Sequence, residues 1–96
     1  MVRHIVMWKL VEFPSAAEKE AAISRIKSGL EALAGVVPGL MEVHVATAFD
    51  GFDLCLSTAF ESRSALLIYQ NHPEHAKVRT YIHTVIAERA FCDWEE

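Results

Sequence analysis

The sequence predicts an α+β fold, one antiparallel sheet with helices packed against a single face. Three observations carry this. Two-residue and helical periodicities follow one another along the chain in the order β-α-β-β-α(α)-β. Its 96 residues suffice for one domain, 1–96, and one core. The strands are also apolar on both sides, although helices can shelter only one of them.

Residues 2–11, rich in Val, Ile and Trp, read as a strand. Alternation puts His4, Val6, Trp8 and Leu10 on one face and Arg3, Ile5, Met7, Lys9 and Val11 on the other. Pro14-Ser15-Ala16-Ala17-Glu18 opens a helix, with Ser15 as its cap and Glu18 reaching back in a capping box. Ala22, Ile23, Ile26, Leu30 and Leu33 form its apolar stripe, and Gly35 is a natural stop. Gly29 weakens this helix by about 1 kcal/mol relative to Ala, a cost that close packing on the sheet would explain.

Pro38-Gly39 is a turn. Strands follow at 40–48 and 52–60, joined around Asp50-Gly51, a dipeptide that favours a type I′ hairpin. In the first, Met41, Val43, Val45 and Thr47 oppose Leu40, Glu42, His44 and Ala46. In the second, Leu54, Leu56 and Phe60 oppose Asp53, Cys55, Ser57 and Ala59. Ser62 caps a short helix through Tyr69, which Pro73 interrupts, because a proline pushes the preceding residue out of helical angles and serves best in a new first turn. The helix after it turns Ala76, Tyr81, Ile82, Val85 and Ile86 inward, and Glu88 to Trp94 forms the last strand. Right-handed connections make this order a ferredoxin-like sheet. Cys55 and Cys92 then lie on opposite sides of the first strand, too far apart for a disulfide.

Composition narrows the function. With 52% hydrophobic residues the chain folds, and a net charge of −4 without any basic cluster argues against nucleic acid. No apolar run approaches the ~18–20 residues of a membrane span, and the N-terminus lacks a signal-peptide core. A cytoplasmic protein with two reduced cysteines is expected. The second sheet face calls for a cover. A homodimer, packed face to face, is the simplest. About 500 Å² of apolar surface per subunit would contribute on the order of 10 kcal/mol before association costs.

The opening Val2-Arg3-His4-Ile5-Val6-Met7-Trp8-Lys9, the hairpin Asp50-Gly51-Phe52-Asp53-Leu54, Phe60-Glu61-Ser62, Tyr69-Gln70-Asn71-His72-Pro73-Glu74-His75 and the ending Asp93-Trp94-Glu95 resemble the stress-responsive A/B barrel (Dabb) family over nearly the whole chain. The resemblance implies a dimeric α+β barrel. The family mixes stress-associated proteins of unknown chemistry with the plant olivetolic acid cyclase, a cofactor-free polyketide cyclase. Its catalytic histidine and tyrosine fall on His75 and Tyr69, and the pocket histidine of its first strand falls on His4. This chain departs from the cyclase at Leu54, where the cyclase has a further pocket histidine.

His75 stands in the first turn of the helix begun by Pro73, where the helix dipole disfavours protonation and leaves a neutral base. Tyr69, about one turn before the break, is placed to donate a hydrogen bond to an enolate oxygen, and His4 to orient a ligand or relay a proton. Convergence of the three on the barrel interior would give a cofactor-independent cyclase or lyase, with His72, Trp8 and Leu54 contributing to ligand binding. The leading expectation is a non-catalytic dimer that binds a small hydrophobic or keto ligand or serves a structural role, with these side chains bonded to one another or to backbone and His72 only ending a helix, and the cyclase or lyase is the alternative. A metal held by His72, His75 and His4 is disfavoured, since Pro73 makes the spacing irregular and no acidic residue or cysteine completes the set. His44 and His83 show no constellation, and the quinol-forming monooxygenases share the barrel without the His-Pro-x-His segment.

Overall fold

A computed structural model describes residues 1–96. The elements are β1 (Val2–Leu10), α1 (Ala16–Glu31), β2 (Leu40–Thr47), β3 (Leu54–Phe60), α2 (Arg63–Asn71), α3 (Pro73–Val85) and β4 (Ile86–Glu95). The four strands form one antiparallel sheet in the order β2-β3-β1-β4, the ferredoxin-like arrangement. Cys55 faces Met7 and Cys92 faces Ile5 across β1, and both are free.

Alternation along β1 decides which side is inside. Val2, His4, Val6, Trp8 and Leu10 are buried beneath the helices. Leu54, Leu56, Thr58 and Phe60 of β3 continue the same layer, and Ile26, Leu30, Leu66, Tyr69 and Ile82 close it from the helix side. Ser15 caps α1 by accepting from the Glu18 N–H at 3.2 Å, while the return bond of a capping box does not form. Ser62 caps α2 through the Ala65 N–H at 3.1 Å.

Four local expectations are corrected. Gly29 makes its close approach to α3, not to the sheet: a Cβ there would lie 3.1 Å from Val78. A bulge between Leu40 and Glu42 makes Met41 the extra residue, so Leu40 turns to the core with Val43 and Val45. The β2–β3 connection is no two-residue type I′ turn, which would need positive φ at both Asp50 and Gly51; only Gly51 has it. Instead, Asp53 is drawn onto β1 and α1, its carboxylate accepting from Leu10 N–H and Lys19 Nζ. Finally, α3 passes into β4 without a loop, so Ile86 begins the strand.

The other face of the sheet carries no helix. Ile5 and Met7 are half-buried there, among Ala46, Cys55, Ala90, Cys92 and an exposed Trp94. An Arg3–Glu42 ion pair at 3.0 Å spans the position of Ala59 at one margin.

Gly39 fixes how α2 enters this frame. Its φ is +81°, and a Cβ would sit 2.5 Å from the Ala65 Cβ, whereas Gly35, at +79°, has open space around it. Gly35→Ala should therefore lose roughly 1 kcal/mol through backbone conformation alone, and Gly39→Ala at least about 2 kcal/mol. Urea unfolding of the two variants checks this; equal losses would contradict the close approach of Gly39 to α2.

Candidate functional site

The site begins with a break in a helix. Pro73 has no N–H to donate, so α2 ends and α3 begins at His72, whose backbone is extended (φ −71°, ψ 135°). The His72 ring then caps the new helix, Nδ1 accepting from the Glu74 N–H at 3.1 Å. In an unbroken helix, Tyr69 and His75 would point about 120° apart and stand ~9 Å apart along the axis. The break instead stacks their rings, with centroids 4.2 Å apart and planes 28° apart.

A cavity of about 310 Å³ opens between these helices and the sheet. Its floor and walls include His4, Val6, Trp8, Leu56, Tyr69 and Ile82, and the exposed His83 and Arg89 mark a mouth between α3 and β4. The His4 ring meets Tyr69 edge-on, centroids 6.3 Å apart. His4 Nδ1 bonds to Asp93 Oδ1, directly opposite on β4, and its backbone carbonyl accepts from Thr58 Oγ1 at 2.6 Å. The carboxylate takes Nδ1–H as its donor and so fixes the orientation of the ring.

Two polar atoms in this site are buried without any hydrogen-bond partner, Tyr69 Oη and His75 Nδ1. Leaving such groups unpaired costs about 1–3 kcal/mol each. Burial raises the Tyr69 phenol above its ordinary range, so it stays a donor. Burial first, and the Arg79 charge second, push His75 down to about 4 against a smaller opposing pull from the Gln70 backbone, so its imidazole is neutral at pH 7. The arrangement thus presents a protonated hydroxyl and a neutral imidazole to one largely apolar space.

Of the residues singled out from sequence, His4, Tyr69, His75 and Trp8 meet at the cavity. His72 and Leu54 do not line it: His72 is used as a cap, and Leu54 is fully buried where β3 pairs with Trp8. The cavity also lies on the helix side of the sheet, within one protomer, not on the open face that a second copy would cover. Asp93, Arg79 and Arg89 escaped the sequence reading, and His83, expected to show no constellation, stands at the cavity. The antiparallel register of β4 on β1 would have matched Asp93 to His4. The spacing of His75, Arg79 and His83 by four residues would have placed them on one helical face. No three His, Cys, Asp or Glu side chains gather as a metal-binding set, and no helix is long and apolar enough to cross a membrane.

Tyr69→Phe should leave the fold intact and raise its stability by about 0.5–1.5 kcal/mol, since only an unpaired hydroxyl is removed. Thermal unfolding measures this; a clear loss would mean that the hydroxyl has a partner. For His75, the folded-state value lies below the ordinary 6.5, so the unfolded chain binds the proton more readily. The contribution of this neutral histidine to stability is complete above about 6.5 and is lost as pH falls toward 4. An NMR titration of the His75 ring should show a midpoint near 4, and His75→Asn should flatten the stability profile across that window.

Comparisons with known proteins agree on the fold. Residues 2–96 match the model of the Stress Responsive A/B Barrel Domain. No curated protein matches in sequence. Among solved structures, a dimeric protein of unknown function with a ferredoxin-like fold from Bacteroides fragilis is 24% identical, with 99% of this chain and 95% of that chain covered and a TM-score of 0.90. A Dabb family protein with a ferredoxin-like fold from Mesorhizobium loti is 18% identical, with coverage of 99% and 95% and a TM-score of 0.77. The hydroxynitrile lyase of Passiflora edulis is also 18% identical, with coverage of 97% and 90% and a TM-score of 0.74. With a family match across all but its first residue, the chain belongs to the stress-responsive A/B barrel (Dabb) family.

Proposed function

We propose that the chain is a homodimer, each protomer of which binds a small, largely apolar keto compound between helices and sheet and moves a proton next to its carbonyl. The observation that carries this reading is the pair of buried, unpartnered atoms, Tyr69 Oη and His75 Nδ1, at the same cavity. A side chain kept only for packing has no reason to retain such a cost.

In the proposed step, the neutral His75 ring takes a proton from the carbon beside the carbonyl. The C–H electron pair moves into the new C=C bond, and the carbonyl π pair moves to oxygen. Tyr69 donates a hydrogen bond to that oxygen as charge develops there. Return of the proton completes an enolisation; attack of the enolate carbon on a second carbonyl of the same molecule, whose oxygen then takes the proton back from the His75 ring, completes an aldol-type cyclisation. His4, held by Asp93, orients the ligand or relays the proton. These residues suffice for the chemistry without a cofactor. A hydroxynitrile lyase shares this fold, so a lyase reading is compatible with it.

Dimerisation is supported by the open sheet face and by neighbours described as dimeric. Ile5, Met7, Ala90 and Trp94 form a surface too apolar to leave in water, while Lys9 and Glu88 pair at 3.9 Å across the Trp8 end of the sheet. Unpaired Cys55 and Cys92 suit a reducing compartment such as the cytoplasm.

Acetophenone in deuterium oxide is the simplest probe. The protein should catalyse exchange of its methyl protons, with His75→Ala and Tyr69→Phe each slowing exchange about a hundredfold while remaining folded. The acid limb of the rate profile should lie near the His75 value of about 4, with activity rising as pH increases through it. Binding of acetophenone without exchange would favour the second reading, a non-catalytic ligand-binding dimer. Light scattering at micromolar concentration should return twice the chain's mass, and Met7→Glu should return a folded single chain; a monomeric wild type would contradict the dimer.

A further inference from the structure

Nine residues of the chain are Lys or Arg. Six of them, Arg3, Lys9, Lys19, Lys27, Arg63 and Lys77, stand within ion-pair distance of a carboxylate. The three that do not are Arg25, Arg79 and Arg89. Arg25 lies over the Tyr81 ring, 3.7 Å from its centroid. Arg79 and Arg89 both line the cavity, and no Asp or Glu does.

In a chain with a net charge of −4, carboxylates are plentiful, yet Asp93, the one bonded to a lining residue, pairs with His4 from outside the cavity. Arg79 is half-buried and uses one donor, Nη1 to the Gln70 carbonyl at 2.9 Å. The rest of its guanidinium fork is unspent. Arg89 reaches the site from β4, opposite Trp8, and its guanidinium lies 4.7 Å from the Phe91 ring centroid. A planar cation with free paired donors is matched in shape by a carboxylate.

We infer that Arg79 and Arg89 form the anion-binding end of the cavity, so that its ligand is a small carboxylate with an apolar body. The inference rests on the reading that a keto compound occupies this cavity, and it names the class of that compound: a keto acid. His75 and Arg79 are four residues apart on one face of α3. The carboxylate and the reacting carbon should therefore be separated by about one helical turn, ~5–6 Å. Val6, Trp8, Leu30, Leu56 and Ile82 supply the apolar walls. The charge also acts on the base. Arg79 helps to hold His75 weakly basic, so a carboxylate seated on Arg79 offsets that effect and makes the imidazole a better proton acceptor only when the ligand is present.

The test compares para-acetylbenzoate with its methyl ester, which has the same ring and ketone but no charge. By calorimetry at low salt and neutral pH, the acid should bind about tenfold or more tightly than the ester. Arg79→Gln and Arg89→Gln should each weaken the acid by about that factor and leave the ester nearly unchanged. Saturating acid should also raise the NMR titration midpoint of His75 in the wild type but not in Arg79→Gln. Acid that binds no better than ester, does not bind, or binds regardless of both arginines overturns the inference. Arginine-dependent binding without any methyl-proton exchange would remove the catalytic reading and keep the anion site. Exchange indifferent to charge and to both arginines would do the reverse.

Discussion

The constraint on which the site depends is the missing N–H of Pro73. Because the chain cannot continue as helix through that residue, α2 and α3 meet at an angle, and the last turn of one faces the first turn of the other. Tyr69 and His75 stack only for this reason. The His72 ring supplies the N–H acceptor that the new helix needs, leaving His75 free of capping duty. A local rule of backbone chemistry thus brings a hydroxyl and an imidazole to one cavity, in a geometry that no continuous helix offers.

The sheet supplies the second half. Strict alternation along β1 sends His4 inward with Val6 and Trp8, and the antiparallel register with β4 sets Asp93 opposite it. The buried histidine is therefore held by a carboxylate on Nδ1. The same alternation sends Ile5 and Met7 to the other side. One strand serves two purposes: its even face makes the site, and its odd face presents an apolar surface suited to a partner. The two faces are separated by the thickness of the sheet, so each can be perturbed independently.

Much of this was legible in the sequence. Element order and the two-sided strands gave the topology, and the caps at Ser15 and Ser62 and the break at Pro73 follow from short-range rules. Convergence of His4, Tyr69 and His75 could be expected, but its place could not. The barrel interior was the wrong location, because periodicity shows that β1 has two faces without saying which face the helices cover. Leu40 was misassigned because a bulge leaves no mark in a two-residue alternation. Asp50-Gly51 misled because Asp53, through bonds to Leu10 and Lys19, dictates the loop from outside it. Arg79 and Arg89 were invisible for a related reason: a cation without a partner is recognised only when every ion pair is known.

The central claim is that a ligand belongs between helices and sheet, against Tyr69 and His75. A crystal soaked with acetophenone tests it directly. The account predicts density on the helix side of the sheet, the ketone oxygen within hydrogen-bond distance of Tyr69 Oη and the methyl carbon facing His75. Density confined to the open face of the sheet, or Tyr69 and His75 bonded to ordered protein groups with no space between them, would contradict it.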